Sequence, residues 1–164
     1  AYARDDTTFN ESFAVAVELE GMRRWLERFG TPEQKAAFAL ERRRRDDFAA
    51  LVAKYRGRLG ELYGEDLPAE AKRAEKARLL AAMGEDYGRL KAAWGGFAGY
   101  DKWFAQPINN AQLASVSLST RLVPAFQELL HRDGGDLPRF YRDVKELAAR
   151  PAAEREAALT AAGG

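Results

Sequence analysis

The chain has no cysteine, and only one of its 164 residues, His131, is a histidine. The absence of cysteine excludes disulfides and thiolate metal sites. No run of about 18 apolar residues occurs, so we predict no membrane-spanning segment. The 26 basic residues are balanced by 25 acidic ones, for a formal net charge of +1. This balance provides no strongly basic face, and we predict no nucleic-acid partner.

Patterns typical of β-strands are also nearly absent. Ala, Leu, Glu, Arg and Lys dominate the sequence, and all five favour helix. The first helix is predicted over residues 7–29, with Thr7 or Thr8 as its N-cap and Gly30 as its stop. We therefore predict an all-α helical bundle that forms a single domain over residues 1–164.

Two long helices are predicted over residues 31–94. Pro32 begins the first one, and the segment 64–68 (Gly-Glu-Asp-Leu-Pro) separates the two. Apolar residues recur every three or four positions in both helices, which indicates one buried stripe on each. A short turn between two such helices predicts a long antiparallel helical hairpin. The stripes are Phe48, Leu51, Val52, Tyr55, Leu59 and Leu62, then Leu80, Met83, Tyr87, Leu90 and Trp94.

The remaining helices are predicted over residues 109–162. Residues 95–108 between them and the hairpin are expected to form a glycine- and aromatic-rich loop and an irregular segment. The first of these helices begins at Asn109 or Asn110 and runs to His131. Pro124 lies inside it and is expected to kink or split it, because proline lacks a backbone N–H.

The hexapeptide Phe9-Asn10-Glu11-Ser12-Phe13-Ala14 opens the first helix. Glu11 and Glu18 are seven residues apart and share one helical face. The helix is apolar nearly all round, so we expect it to be largely buried. A buried carboxylate needs a partner, and a metal ion is one such partner. The alternative is that Glu11 is a first-turn acid that faces water and stabilises the helix dipole by about 0.3–1 kcal/mol.

The longer segment Asp-Thr-Thr-Phe-Asn-Glu-Ser-Phe-Ala, residues 6–14, resembles the second zinc motif of gluzincin metallopeptidases. It is more similar still to a bacterial aminopeptidase family of the zincin type. Two later stretches, residues 100–111 and 123–126, are similar to the same family. In gluzincins a His-Glu-x-x-His helix supplies two zinc ligands, and a glutamate on a later helix supplies the third. The resemblance therefore implies zinc as cofactor, a peptide as substrate and Glu11 as the third zinc ligand.

The His-Glu-x-x-His motif itself does not occur in this sequence. The resemblance thus implies that the chain is the part of a peptidase C-terminal to that motif. By itself the chain is expected to be inactive and to hold no tightly bound zinc. Surface left apolar by the missing part would allow a dimer of the fragment. The family resemblance also suggests the cell envelope or periplasm as the location.

Further site residues follow from the resemblance. Asn10 and Glu18 are candidates for contacts around the metal or the substrate, Glu18 as the partner of a ligating histidine. Asn109 and Asn110 would hydrogen-bond a peptide substrate, or else cap the helix that they begin. Tyr100 is the candidate donor to the oxyanion of the transition state.

A second functional class stays open at this point. The chain would then be a non-catalytic helical module for protein interaction, with its hairpin packed against a partner protein. Tyr55, Tyr63 and Tyr87, on or near the apolar stripes of the hairpin, favour this interpretation.

Overall fold

The computed structural model describes residues 2–161, and the regular secondary structure of that part is entirely helical. The all-α prediction is confirmed, although the residue at which the last helix was predicted to end, 162, lies outside the described part. No helix within residues 2–161 has both the length and the apolar character needed to cross a bilayer. The helices are α1 (Thr7–Phe29), α2 (Pro32–Gly64), α3 (Ala69–Ala93), α4 (Asp101–Phe104), α5 (Asn110–Thr120), α6 (Val123–Arg132), α7 (Leu137–Ala148) and α8 (Ala152–Ala161).

The chain divides into two compact units. Unit 1 comprises residues 1–31 and 118–164, and unit 2 comprises residues 32–117. Whether the two units form the predicted single domain depends on how they join, so the single domain stays a prediction.

Unit 2 is built on the predicted antiparallel hairpin of α2 and α3. All six stripe residues predicted for the first helix of the hairpin are buried. Of the second predicted stripe, Met83, Tyr87 and Trp94 are buried, whereas Leu80 and Leu90 are half-buried. Leu79, which was not predicted, is buried as well. Asp86 of α3 accepts hydrogen bonds from Lys54 Nζ and Tyr55 Oη of α2, each at 2.7 Å. These bonds, with Lys54 as the largest contributor, hold the pKa of Asp86 below its ordinary value. A charged group that bridges both helices in this way favours one register of the hairpin.

An aromatic cluster closes unit 2 beside the hairpin. Tyr100 stacks on Phe48, and Phe104 stacks on Tyr87, each pair with ring centroids 4.1 Å apart. Residues 101–108 were predicted to be irregular, but Asp101–Phe104 forms the short helix α4. The difference has a tertiary cause, since Asp101 accepts a hydrogen bond from Tyr87 Oη at 2.6 Å, which holds α4 against α3.

Unit 1 packs α1 against α6, with α7 and α8 beside them. Phe9 meets Phe126 edge-on at 5.0 Å, and Phe13 lies between Phe126 and Phe140 at 5.6 and 5.9 Å. The predicted bounds of α1 are correct, but its N-cap is Asp6, which accepts a hydrogen bond from the Phe9 N–H at 2.9 Å. The two predicted caps, Thr7 and Thr8, are instead the first two residues of the helix.

The long helix predicted over residues 109–131 is split, as the proline within it suggested. The break lies at residues 121–122, and Pro124 occupies the first turn of α6, where a missing N–H costs no helical hydrogen bond. Ser12 of α1 supports the break, because its hydroxyl accepts from the Leu122 N–H at 3.2 Å and donates to the Leu118 carbonyl at 3.5 Å. Thus a polar residue of the hexapeptide is buried for a structural reason.

Candidate functional site

Four side chains of the hexapeptide pack or form hydrogen bonds within unit 1, and those of Glu11 and Ala14 are exposed. Phe9 and Ser12 are fully buried, and Phe13 is half-buried among rings. Asn10 makes two hydrogen bonds to Ala3, one from its amide Nδ2 to the carbonyl and one from the Ala3 N–H to its Oδ1, both 2.8 Å long. This pair fixes the segment that leads into α1.

Glu11 is the polar residue of the hexapeptide that takes no part in this packing. Its side chain is exposed, and within residues 2–161 its carboxylate has no hydrogen-bond or ion-pair partner. Because α1 begins at Thr7, Glu11 is the fifth helical residue and lies beyond the first turn. The interpretation of Glu11 as a first-turn acid is therefore wrong, since the dipole effect falls off within that turn, but its other part, that the side chain faces water, is confirmed.

The face of α1 that carries Glu11 is not buried, contrary to expectation. Glu18 is exposed, and the apolar residues that continue the same face, Met22, Trp25 and Phe29, are 44%, 50% and 62% exposed. Burial is confined to the side that faces α6. The argument that a buried carboxylate must find a partner therefore does not apply to Glu11.

Farther along α1, acidic and basic side chains pair with each other. Glu20 binds Arg23 and Arg24 with side-chain hydrogen bonds of 2.6–2.8 Å. The hydrogen bond from Arg23 is the main cause that lowers the pKa of Glu20 to about 2. Glu20 is thus committed to a local ion-pair network, which distinguishes it from Glu11 and Glu18 on the same helix.

Tyr100 is held in the aromatic cluster of unit 2. Its ring stacks on Phe48, and Trp94 lies 5.9 Å away. Burial raises the pKa of the Tyr100 phenol. A tyrosine phenol already carries its proton at neutral pH, and the raised pKa only makes the loss of that proton harder, so the hydroxyl is available as a hydrogen-bond donor.

Asn109 and Asn110 lie at the start of α5 and make different hydrogen bonds. Asn109 caps the helix, because its Oδ1 accepts from the Gln112 N–H at 2.9 Å. Asn110 accepts a hydrogen bond from Tyr63 Oη at 3.1 Å. Both side chains are exposed, and their amide N–H groups have no partner within the described residues. Capping and substrate contact therefore remain compatible for Asn109.

The predicted site residues are divided between the units. Asn10, Glu11 and Glu18 belong to unit 1, and Tyr100, Asn109 and Asn110 belong to unit 2. Among residues 2–161, no group of three or more His, Cys, Asp or Glu side chains is placed to hold a metal ion. The assignments of these residues to a site stay predictions.

Sequence reasoning missed the residue that anchors the start of α1. Arg155 of α8 is 5% exposed and donates a hydrogen bond to Asp6 Oδ2 at 2.6 Å. Its guanidinium also lies 5.5 Å from the centroid of the Phe9 ring. An arginine within an alanine-rich helix normally faces water, so no signal in the sequence indicated this buried position.

The fold and the hexapeptide together define an all-α protein with two compact helical units and a candidate site on α1. A family model described as "Putative aminopeptidase" matches residues 1–159. The match extends over both units, and the chain belongs to this family. No curated protein and no solved structure gives a match.

Proposed function

We propose that Glu11 is the third protein ligand of a catalytic zinc ion in an aminopeptidase of the zincin type. The other two ligands would be histidines of a His-Glu-x-x-His helix, a motif that residues 1–164 do not contain. The proposal is carried by a contrast within the hexapeptide: Asn10 and Ser12 serve the packing of unit 1, whereas the exposed Glu11 carboxylate has no partner among residues 2–161. A free carboxylate inside a segment that resembles a zinc motif fits the role of one ligand.

Bound zinc would activate a water molecule and polarise the scissile carbonyl. The residues of this chain would help to hold the zinc ion and would orient the groups around it. Asn10 fixes the entry to α1 through Ala3 and thereby the position of the turn that carries Glu11. Glu18, two turns along the same exposed face, would accept a hydrogen bond from the ring N–H of a ligating histidine and orient it.

Tyr100, Asn109 and Asn110 are the residues that we propose contact the substrate, a peptide. The protonated Tyr100 hydroxyl would donate to the oxyanion that develops on the scissile carbonyl. The amide N–H groups of Asn109 and Asn110 would donate to carbonyl groups of the peptide backbone. In this proposal residues 1–164 alone are inactive and bind zinc weakly, because one carboxylate is not a zinc site.

The alternative, a helical module for protein interaction, has lost most of its support. It was based on three tyrosines of the hairpin, and two of them, Tyr55 and Tyr87, are only 2% and 7% exposed in the core of unit 2. Tyr63 is the one of the three that is exposed. We therefore retain the peptidase proposal alone.

The first experiment uses the complete protein, with Glu11→Gln as the test and Glu61→Gln as the matched control. Glu61 is exposed on α2 and has no partner within the described residues. We expect Glu11→Gln to weaken zinc affinity by about 10–100-fold, at least the effect of losing a ligand-supporting group, and to abolish hydrolysis of an aminoacyl p-nitroanilide. Unchanged zinc content in Glu11→Gln would remove Glu11 from the site.

Two further observations test the remainder of the proposal. The coding sequence upstream of the first residue should encode His-Glu-x-x-His within about 20 residues of it. Purified residues 1–164 should neither retain zinc nor hydrolyse peptides. One zinc ion per isolated chain, bound through Glu11 and active on peptides, would contradict the proposal directly.

A further inference from the structure

A pocket of about 300 Å³ lies in unit 2, between the last turns of α2 and the first turns of α5. This volume is at the lower end of the range for small-ligand sites. None of the residues proposed to act around the zinc ion in unit 1 lines it. The lining residues are Arg56, Leu59, Gly60, Tyr63, Asn110, Leu113 and Ala114.

The floor of the pocket is apolar. Leu59 and Leu113 are each 2% exposed, so both are fixed by the core of unit 2. Gly60 gives the pocket room, because a Cβ added there would meet no atom of another residue within 4 Å. The floor therefore has space for one apolar side chain of a ligand.

The polar groups of the pocket are separated along α2. Arg56 is the first of the lining residues on this helix and Tyr63 is the last, and Tyr63 Oη donates a hydrogen bond to Asn110. Arg56, Gly60 and Tyr63 follow each other at intervals of four and three residues, so they share one face of α2. Seven residues of helix correspond to about 10 Å along the axis, a length that about three residues of extended peptide span.

The charge in the pocket has one sign. Arg56 is the charged residue among the seven that line it, and none of them is acidic. Within residues 2–161, Arg56 has no hydrogen-bond or ion-pair partner. The residues three and four positions away on α2 are Val52, Ala53, Leu59 and Gly60, so no carboxylate occurs at a spacing that would neutralise it. An anionic ligand group complements Arg56, and an ammonium group does not.

We propose that the pocket binds the C-terminal end of a short peptide whose last residue is apolar. The terminal carboxylate pairs with the Arg56 guanidinium, which matches a carboxylate geometrically. The last side chain lies over Leu59, Gly60 and Leu113. A backbone carbonyl farther up the peptide accepts a hydrogen bond from the amide N–H of Asn110. The site does not depend on zinc, although it shares Asn110 with the substrate contacts proposed above.

The test measures binding of two probes to residues 1–164 by NMR titration. The first probe is N-acetyl-Ala-Leu with a free carboxylate, and the second is the same dipeptide with a C-terminal amide. We expect saturable binding of the acid and a dissociation constant about tenfold larger for the amide, the scale of one hydrogen bond to a charged group. A third probe, Ala-Leu amide, carries a free ammonium group instead, and we expect it to bind no better than the acetylated amide.

Matched glycine variants test the location. Gly60→Leu fills the pocket, whereas Gly57→Leu places the same side chain on the same helix outside it, where an added Cβ is equally unobstructed. Both replace a helical glycine, so both are expected to keep or raise helicity in far-UV circular dichroism. We expect Gly60→Leu to weaken binding of the acid at least tenfold and Gly57→Leu to leave it within twofold.

Arg56→Gln tests the charge. It should equalise the affinities for acid and amide while leaving the weaker affinity for the amide unchanged. The proposal is overturned if the acid shows no saturable binding, if acid and amide bind equally to the unmodified chain, or if the two leucine variants behave alike. A preference for the ammonium probe would overturn it as well, because it would require a site of opposite charge.

Discussion

Replacing Arg155 by alanine should be among the most destabilising single changes in unit 1. The guanidinium is buried and donates hydrogen bonds to Asp6 Oδ2 at 2.6 Å, the Arg150 carbonyl at 2.9 Å and the Ala148 carbonyl at 3.3 Å. It thereby joins α8 and the end of α7 to the N-cap of α1. Truncation removes these contacts together and leaves the Asp6 carboxylate without its charged partner.

The expected loss follows from the burial of the two partners. Removing one member of a buried ion pair costs about 3–5 kcal/mol. The Asp6 side chain is 23% exposed, against 6% for Arg155, so water can solvate part of the remaining carboxylate. Asp6 also keeps its second role, because its Oδ1 still accepts from the Phe9 N–H. We therefore expect a loss in free energy of unfolding near the lower limit, about 3 kcal/mol.

Urea denaturation followed by far-UV circular dichroism measures this loss. Arg142→Ala is the matched control, since Arg142 is exposed on α7 and unpartnered within residues 2–161, and it should stay within about 0.5 kcal/mol. Asp6→Asn retains a capping oxygen but removes the charge. The double variant should then reveal a coupling of about 1–3 kcal/mol between positions 6 and 155. A loss below about 1 kcal/mol for Arg155→Ala, or no coupling, would refute the reasoning.

Two further predictions concern buried polar groups of unit 1. Burial, reinforced by the charge of Asp143 and opposed by Arg139, raises the pKa of Asp133, so the folded chain binds this proton more tightly than the unfolded chain. The free energy of unfolding should therefore fall as pH rises from the ordinary carboxyl pKa through the raised one. Asp133→Asn should remove that fall, because asparagine has no proton to titrate in this range. Urea titrations across the acid range measure this, and an unchanged pH dependence in the variant would contradict it. Ser12→Ala leaves the Leu122 N–H without its acceptor and should cost about 1–2 kcal/mol in the same assay; an unchanged urea midpoint would show that the hydroxyl does not support the break between α5 and α6.

The predictable parts of the fold are those that adjacent residues determine. Gly30 ends α1, Pro32 begins α2, and a regular apolar stripe on each long helix specifies the hairpin. These signals act over a few residues, so they can be recognised without knowledge of the tertiary structure. The break before Pro124 belongs to the same class, because it follows from the chemistry of one residue.

Tertiary contacts decided the features that the sequence did not reveal. Asp6 rather than Thr7 or Thr8 caps α1, and its partner Arg155 lies 149 residues away along the chain. The exposed face of α1 was expected to be buried, because apolar residues occur on most sides of this helix. Only its packing on α6 decides which side faces water and therefore that Glu11 is accessible.

The candidate site was predictable to a similar extent. The hexapeptide singled out Glu11, and the structure adds that its neighbours Asn10 and Ser12 have structural partners, while Glu11 has none in the part of the chain that the structure describes. For Asn109 the sequence left capping and substrate contact as alternatives, and the observed cap uses only the side-chain oxygen. Geometry thus shows that one residue has the groups for both roles, which spacing along a sequence does not reveal.

The open space at Gly60 also bears on how this protein could be engineered. Replacing helical glycines by alanine is a standard route to a more stable protein, and each such change contributes about 0.5–1 kcal/mol. At Gly57 the substitution has only this benefit, since the residue is exposed and lines no part of the pocket. At Gly60 the added methyl group takes volume from the pocket. Gly57 and Gly60 are three residues apart, yet only a substitution at Gly60 would trade ligand binding for thermal stability. A stabilised version of the hairpin should therefore replace Gly57 and keep Gly60.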